Sequence, residues 1–409
     1  MPVRAPPPRA PPRKKKKHGW VSVIVLGVVL LLILLNLDLI TGLLNPNTQY
    51  VEYPKDVEFD IVRQITISGT GIGAEFRIPK ADDIETLAGS YLQRIYSLNE
   101  SHTPPIRYEE VTEAEMWGSG STSKIWMHWE LPFPSSGTFT ISTEYHVYSR
   151  IARWHLEPDQ VGTVDDIASS TDPKVVNLRD AYLGDEWKIR PSNATMKALA
   201  QQMMEGTGGN VYLIVKNTYK YMRENYAYYT SGGLPQDCYE TYATKKGDCD
   251  DQSILMASIL RAAGIPAWLE LGLLYDSVAD QWGGHAWLKV YIPIKGSDGR
   301  FDPDESGTVD IDVVNNEFLF RDPYRFAEWE SDGDGDHLRD YYQFGYNIRG
   351  NANIDVTWTL ISMKKSSETE RLIITDEEPK AIPGFEGWTA ATAISIAGII
   401  ILHRKKRPV

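Results

Sequence analysis

The stretch from Gly247 to Ala267 constrains the fold more than any other part of this 409-residue chain. Asp248 stands where a helix N-cap is expected, and Asp250 and Asp251 follow in the first turn, where the helix dipole favours acids. Gly264 suits the C-terminal cap, and Pro266 keeps the helix from resuming. Cys249 therefore falls at a helix N-terminus, where unpaired N–H groups stabilise a thiolate and favour nucleophilic chemistry. The neighbouring carboxylates oppose that effect, so the thiol requires a basic partner.

Two downstream motifs supply candidates. His285 sits in Gly283-Gly284-His285-Ala286-Trp287-Leu288-Lys289-Val290-Tyr291-Ile292, a strand that ends at Pro293, and Asp322 follows the apolar run Phe318-Leu319-Phe320-Arg321 and precedes Pro323. Cysteine, histidine and aspartate can act as thiolate, base and orienting carboxylate. This order of Gly-Asp-Cys, Gly-His-Ala-Trp and Asp-Pro resembles the transglutaminase-like superfamily, relatives of papain-type folds, over roughly residues 175 to 345. The resemblance implies Cys249 as nucleophile, His285 as general base and acid, and Asp322 as the orienter. It implies attack on a protein or peptide amide and a thioester acyl-enzyme, resolved by an amine or by water, with no cofactor required. The Cys249 backbone N–H is one expected oxyanion donor, and Tyr226, Tyr228 and Gln236 are candidates for the second. The alternative, from a different class, is a catalytically inactive transglutaminase-like module that binds or scaffolds at the cell surface.

The chain ends place this core. Residues 1–19 are rich in proline, arginine and lysine and are expected to be a disordered cytoplasmic tail. Residues 20–44 form an apolar run long enough to span a bilayer, and the basic flank before it predicts a signal anchor with the downstream chain outside. At the other end, Pro383-Gly384-Phe385 precedes a short apolar stretch and His403-Arg404-Lys405-Lys406-Arg407. This arrangement resembles an archaeal sorting signal processed by a sortase-like membrane enzyme, although Glu386 interrupts the apolar stretch and a threonine-rich spacer is missing. A second membrane helix over 383–409 is the other reading. Both readings place the main domains on the extracellular side of the cell membrane. The two ends carry seven and four basic residues, which leaves 31 basic against 53 acidic residues in the rest of the chain once Asp38 and Glu386 of the flanking apolar stretches are set aside. That balance argues against nucleic acid as a partner and leaves surface proteins or peptides, the membrane and a processing enzyme.

Between the ends, period-two runs such as Val57 to Arg63 and Phe139 to Tyr148 predict an antiparallel β-sandwich over 50–160. Residues 161–345 carry the helical lead-in and the transglutaminase-like core, and 346–380 read as further strands and a linker. The expected class is therefore α+β: a helix bearing the cysteine packed on an antiparallel sheet, preceded by the sandwich, with membrane helices at both ends. Cys238 reads as a small buried side chain, with a disulfide to Cys249 as the alternative. His102, His128, His146 and His155 lack metal-ligand spacing. Glu330, Asp332, Asp334 and Asp336, with Gly335 in the sixth place, suggest a structural Ca²⁺ loop, against the reading of a solvated acidic loop.

Overall fold

The computed structural model describes residues 49–374 apart from 87–89, 118–122, 231, 277–278 and 344–346. The expected membrane segments at 20–44 and 383–409 lie outside the described residues. No helix among the described residues is long and apolar enough to cross a membrane. Residues 52–372 belong to one compact unit.

That unit begins with long strands: β1 (Asp56–Pro79), β2 (Tyr91–His102), β3 (Arg107–Thr112) and, after the short helix α1 (Glu113–Trp117), β4 (Ile125–Arg150). β1 alternates buried and exposed residues, with Val57, Phe59, Ile61, Ile65 and Ile67 inside. Bulges at Thr70/Ile72 and Ile72/Ala74 then shift the phase, so that Ile72, Ala74, Phe76 and Ile78 become the buried set. A bulge inserts one residue and moves every later side chain to the other parity, which lets one long strand keep an apolar face while it bends. β1 pairs with β4 along nearly its whole length.

Five helices follow before the cysteine: α2 (Val164–Ser169), α3 (Pro173–Tyr182), α4 (Ala194–Met204), α5 (Val211–Asn225) and α6 (Cys238–Thr244). Side-chain caps start most of them. Asn193 accepts from the Thr195 N–H at 2.8 Å at the head of α4, and Asn210 accepts from the Leu213 N–H at 3.1 Å at the head of α5. The cysteine helix α7 (Cys249–Ala262) is buried on every side from Asp251 to Arg261. A helix without a polar face belongs at the centre of a domain, and α7 lies among α4, α5 and α6 and against a sheet. Arg261, near its C-terminal end, donates to the carbonyls of Ala267 and Gly184 and pairs with buried Glu186 at 2.7 Å.

The sheet comprises β5 (Ala267–Asp276), β6 (Gln281–Lys295), β7 (Phe301–Asp312), the short β8 (Glu317–Phe318) and β9 (Arg325–Glu330), in the order β8-β7-β6-β5-β9 with every pair antiparallel. Its strands have two unlike faces. Leu269, Leu271, Ala286, Leu288, Val290 and Ile311 share one hydrophobic cluster with Ile254, Leu255 and Ile259 of α7. The alternate residues Glu270, His285, Trp287, Lys289, Asp310 and Asp312 form a second face that is charged and also buried. After the helix α8 (Gly335–Tyr342) come β10 (Asn347–Arg349) and β11 (Asn353–Lys365), and both pair with β1.

Two expectations change here. The long strands of 50–160 do not make two separate facing sheets: β1 to β4, with β10, β11 and a two-residue strand at Ile84–Glu85, form one hydrogen-bonded seven-stranded sheet. Nor does the β-rich part end at residue 160. Leu273, Tyr275, Trp282 and Phe326, from the transglutaminase-like stretch, share a core cluster with Phe59, Tyr145 and Val147. β-branched and aromatic alternation marks strands but not their partners, so pairing across almost 300 residues left no local mark.

Candidate active site

Cys249 is the first residue of α7 and is partly exposed. The loop ahead of it is held by Asp251, whose carboxylate accepts from the Gln236 backbone N–H at 2.5 Å, from Gln236 Nε2 at 2.6 Å and from the Asp248 N–H at 3.3 Å. Gln252 Nε2 donates to the Gly247 carbonyl at 2.8 Å. A side chain on Gly247 would place its Cβ 2.5 Å from the Asp251 Cβ, which explains a glycine before the cysteine turn. The sulfur of Cys249 takes a hydrogen bond from the Ala286 backbone, next to His285. Cys238 is a buried free thiol inside the core, so no disulfide joins it to Cys249.

His285 is buried and its Nε2 lies 2.6 Å from Asp312 Oδ2. Asn315 Nδ2 donates to the same Asp312 oxygen at 2.9 Å, and the Asn315 backbone N–H donates to Asp312 Oδ1 at 3.2 Å. With Nε2–H directed at the carboxylate, Nδ1 is the ring nitrogen left to exchange a proton with a thiol. The imidazole stacks on Trp287, with ring centroids 5.7 Å apart and planes at 26°. The Arg325 guanidinium covers that indole at 4.6 Å and reaches Asp312 at 3.2 Å. Burial alone would raise the Asp312 carboxyl, but His285, Arg325 and Asn315 hold it down at about 2.

The carboxylate in contact with His285 is therefore Asp312, while Asp322 bonds elsewhere. Asp322 Oδ1 accepts from the Tyr324 N–H at 2.7 Å, and its carboxyl hydrogen-bonds to that of Glu317. Burial raises both of these acids and Asp322 raises Glu317 further, while Arg325 opposes the rise in each. Strand order gives the reason. β7 is hydrogen-bonded to β6, with Lys289 opposite Asp310 and Leu288 opposite Ile311, so Asp312 comes level with Trp287 on the face that His285 shares. Asp322 precedes β9, which pairs with β5 and not with β6.

Burial of the sulfur, then Asp250 and Asp248, push Cys249 well above its ordinary value, and the Ala286 N–H only partly opposes them. Asp250 is in turn raised by burial and by its hydrogen bond to Asp248. Replacing Asp248 with Asn keeps a good N-cap and removes one of these charges. The pH dependence of Cys249 alkylation by iodoacetamide, in a Cys238→Ala background, is expected to move to lower pH in D248N.

The oxyanion candidates separate. The Tyr226 hydroxyl is taken by Lys245 Nζ at 2.9 Å, and Gln236 is tied to Asp251. Tyr228 stays within the field of Cys249, as does Tyr342 of α8, whose buried hydroxyl has no hydrogen-bond partner. The acids of the loop are held by neighbouring groups. Asp332 Oδ2 lies 2.7 Å from His337 Nδ1, Asp334 caps α8 by accepting from the Asp336 N–H at 2.8 Å, Asp336 pairs with Arg339 at 2.9 Å, and Glu330 pairs with Lys289 at 3.1 Å. Its glycines serve packing: a Cβ on Gly333 would come within 2.2 Å of the Ala181 carbonyl oxygen. The carboxylates that do converge among the described residues are Asp248, Asp250 and Asp251, within 4.8 Å of one another.

Asp312, Asn315, Arg325 and Tyr342 were not singled out from the sequence. For Asp312 a signal exists in Thr308-Val309-Asp310-Ile311-Asp312, where acids alternate with aliphatics on a strand that must bury both faces.

Comparison with known proteins agrees with this architecture. The sequence profile of the transglutaminase-like superfamily matches residues 197–303, which include Cys249 and His285 and stop short of Asp312. A solved structure of a candidate cysteine protease from Cytophaga hutchinsonii aligns with a TM-score of 0.51 at 17% identity, covering 80% of this chain and 100% of that one. The periplasmic domain of TgpA from Pseudomonas aeruginosa aligns with a TM-score of 0.28 at 14% identity, over 62% of this chain and 87% of that one, and carries no weight here. Comparison with curated proteins finds no significant match. The chain thus has a transglutaminase-like core, a cysteine-bearing helix on an antiparallel sheet.

Proposed function

We propose that this transglutaminase-like core is a cysteine enzyme that cleaves or exchanges protein or peptide amides through Cys249, His285 and Asp312. The observation that carries the reading is the buried 2.6 Å contact of His285 with Asp312, one residue from the backbone group that binds the Cys249 sulfur. His285 Nδ1 takes the thiol proton, the sulfur attacks the amide carbonyl, and the imidazolium returns that proton to the leaving amine. The product is a thioester on Cys249. Water then hydrolyses it, or an amine replaces it. Asp312 holds the Nε2–H tautomer and balances the imidazolium. The Cys249 backbone N–H at the head of α7 supports the oxyanion, with Tyr228 as the remaining candidate for the second donor.

The apolar segment at 20–44 and the Pro383-Gly384-Phe385 segment support attachment to the cell membrane with this unit outside, acting on surface proteins or peptides, and the latter supports processing by a sortase-like enzyme. The thiol's raised position favours a second reading, an inactive binding module. Alkylation of Cys249 by iodoacetamide in the full chain, in the Cys238→Ala background, separates the two. The enzyme reading expects titration below the ~8.5 of a free thiol, lost in His285→Ala. Equal, ordinary titration in both proteins would establish the binding module.

A further inference from the structure

We propose that Arg325 is a positioning residue that fixes the charge state of Asp312 and, through it, the tautomer of His285. This rests on the proposed role of those two residues. Arg325 is fully buried at the start of β9. Its Nη2 bonds to Glu317 and also lies 3.2 Å from Asp312 Oδ2, while Nη1 lies 3.8 Å from Asp310. Its plane rests on the face of Trp287, the ring against which His285 stacks. One guanidinium therefore touches both the carboxylate that orients the histidine and the indole that backs it.

The groups around Arg325 make its charge matter. It faces Asp312, Asp310, Glu317 and Asp322, with Tyr53 against Glu317 on the outer side. Two further cations occupy the same face: Arg321, bonded to Glu270 at 2.7 Å and Asp310 at 3.1 Å, and Lys289, 3.3 Å from Glu270. Arg321 and Lys289 are thus engaged by Glu270 and Asp310, which leaves Arg325 as the cation in contact with Asp312. A buried carboxylate without a cation takes up a proton, and a protonated Asp312 no longer holds Nε2–H in place. A planar fork can serve Asp312 and Glu317 together, which an ammonium does poorly.

The test uses the full chain with Cys238→Ala and reads two things. One is the Asp312 carboxyl titration by carbon NMR; the other is the pH profile of Cys249 alkylation by iodoacetamide. In the parent, Asp312 stays ionised to about 2. In Arg325→Gln its titration is expected to rise by about 1–3 pH units, and alkylation to fall off at correspondingly higher pH. Arg325→Lys, which keeps the charge, should show a smaller rise and guards against a Gln variant that does not fold. Glu317→Gln keeps a hydrogen-bond acceptor for Arg325 and should displace both readings less than Arg325→Gln does. An Asp312 titration and alkylation profile identical to the parent in either folded Arg325 variant would overturn the proposal, as would a displacement in Glu317→Gln as large as that in Arg325→Gln. An unreactive Cys249 in the parent would instead count against the enzyme reading, and the carboxyl titration would still decide the role of Arg325.

Discussion

Asp312→Asn is expected to lower amide turnover by about 10³–10⁴-fold, and Asp322→Asn to leave it within a few fold. An amide at position 312 keeps the shape of the side chain but presents the wrong atom to His285 or forces the other tautomer. In the serine-protease triad that change costs about 10⁴ in kcat. Asp322 touches Tyr324 and Glu317 rather than the imidazole, and an amide there can still hydrogen-bond to a carboxyl. The sign of the pH dependence is set by the same contact. Asp312 sits at about 2, so the His285–Asp312 contact contributes fully above the range of an unfolded aspartate and is lost only as pH falls through about 2. An acid limb observed well above that range in the parent protein therefore does not belong to Asp312. Steady-state kinetics on a peptide-amide substrate, comparing the two Asn variants, checks the assignment. Equal losses in both would refute it.

Gly272→Ala is expected to cost about 3 kcal/mol or more, at the upper end for forced overpacking. At this position β5 meets β9 across a bulge between Leu271 and Gly272. A Cβ would stand 2.0 Å from the Phe326 carbonyl oxygen and 2.9 Å from the Glu328 N–H nitrogen, both backbone atoms that no rotamer can move. Relief requires β9 to separate from β5, and β9 carries Arg325 toward Asp312. The expected result is a lower urea midpoint with an unchanged slope, together with slower Cys249 alkylation. Retention of parental stability would show that β9 is free to shift.

The candidate site was legible in the sequence as far as local signals reach. Asp248, Gly264 and Pro266 bound one helix, and Cys249 falls at its head as that pattern requires. His285 lies on a strand as its apolar alternation implies. The carboxylate at His285 was not legible because such a partner is chosen by strand pairing, not by sequence context. Asp-Pro at 322–323 resembles a motif, while Asp312 is the residue that the β6–β7 register brings beside the imidazole. The β-rich part shows the same limit. Alternation marked β1, β4 and β11 as strands, but it could not show that β11 closes onto β1 from the far end of the chain. The acidic loop shows the limit of spacing alone: regularly placed acids can mean a metal, a helix cap or ion pairs, and the sequence did not show the pairs with Lys289, Arg339 and His337.

The pairing of β10 and β11 with β1 bears on how this protein can be cut. A fragment trimmed to the family-like stretch, 161–345, would lose Phe59, Tyr145 and Val147, against which Leu273, Tyr275, Trp282 and Phe326 are packed. It would also lose the buried ion pair of Arg63 with Glu328 at 2.5 Å, and so leave a carboxylate on the catalytic sheet without its cation. Removing the chain after 345 strips β10 and β11 from β1 and bares a strand edge of the kind that recruits other chains. The natural limits for a recombinant piece therefore fall near residues 52 and 372, and insertions or tags belong outside them. The same ties couple the parts under mutation: a change of volume at Leu273, Tyr275, Trp282 or Phe326 is felt by the long-stranded sheet against which they pack.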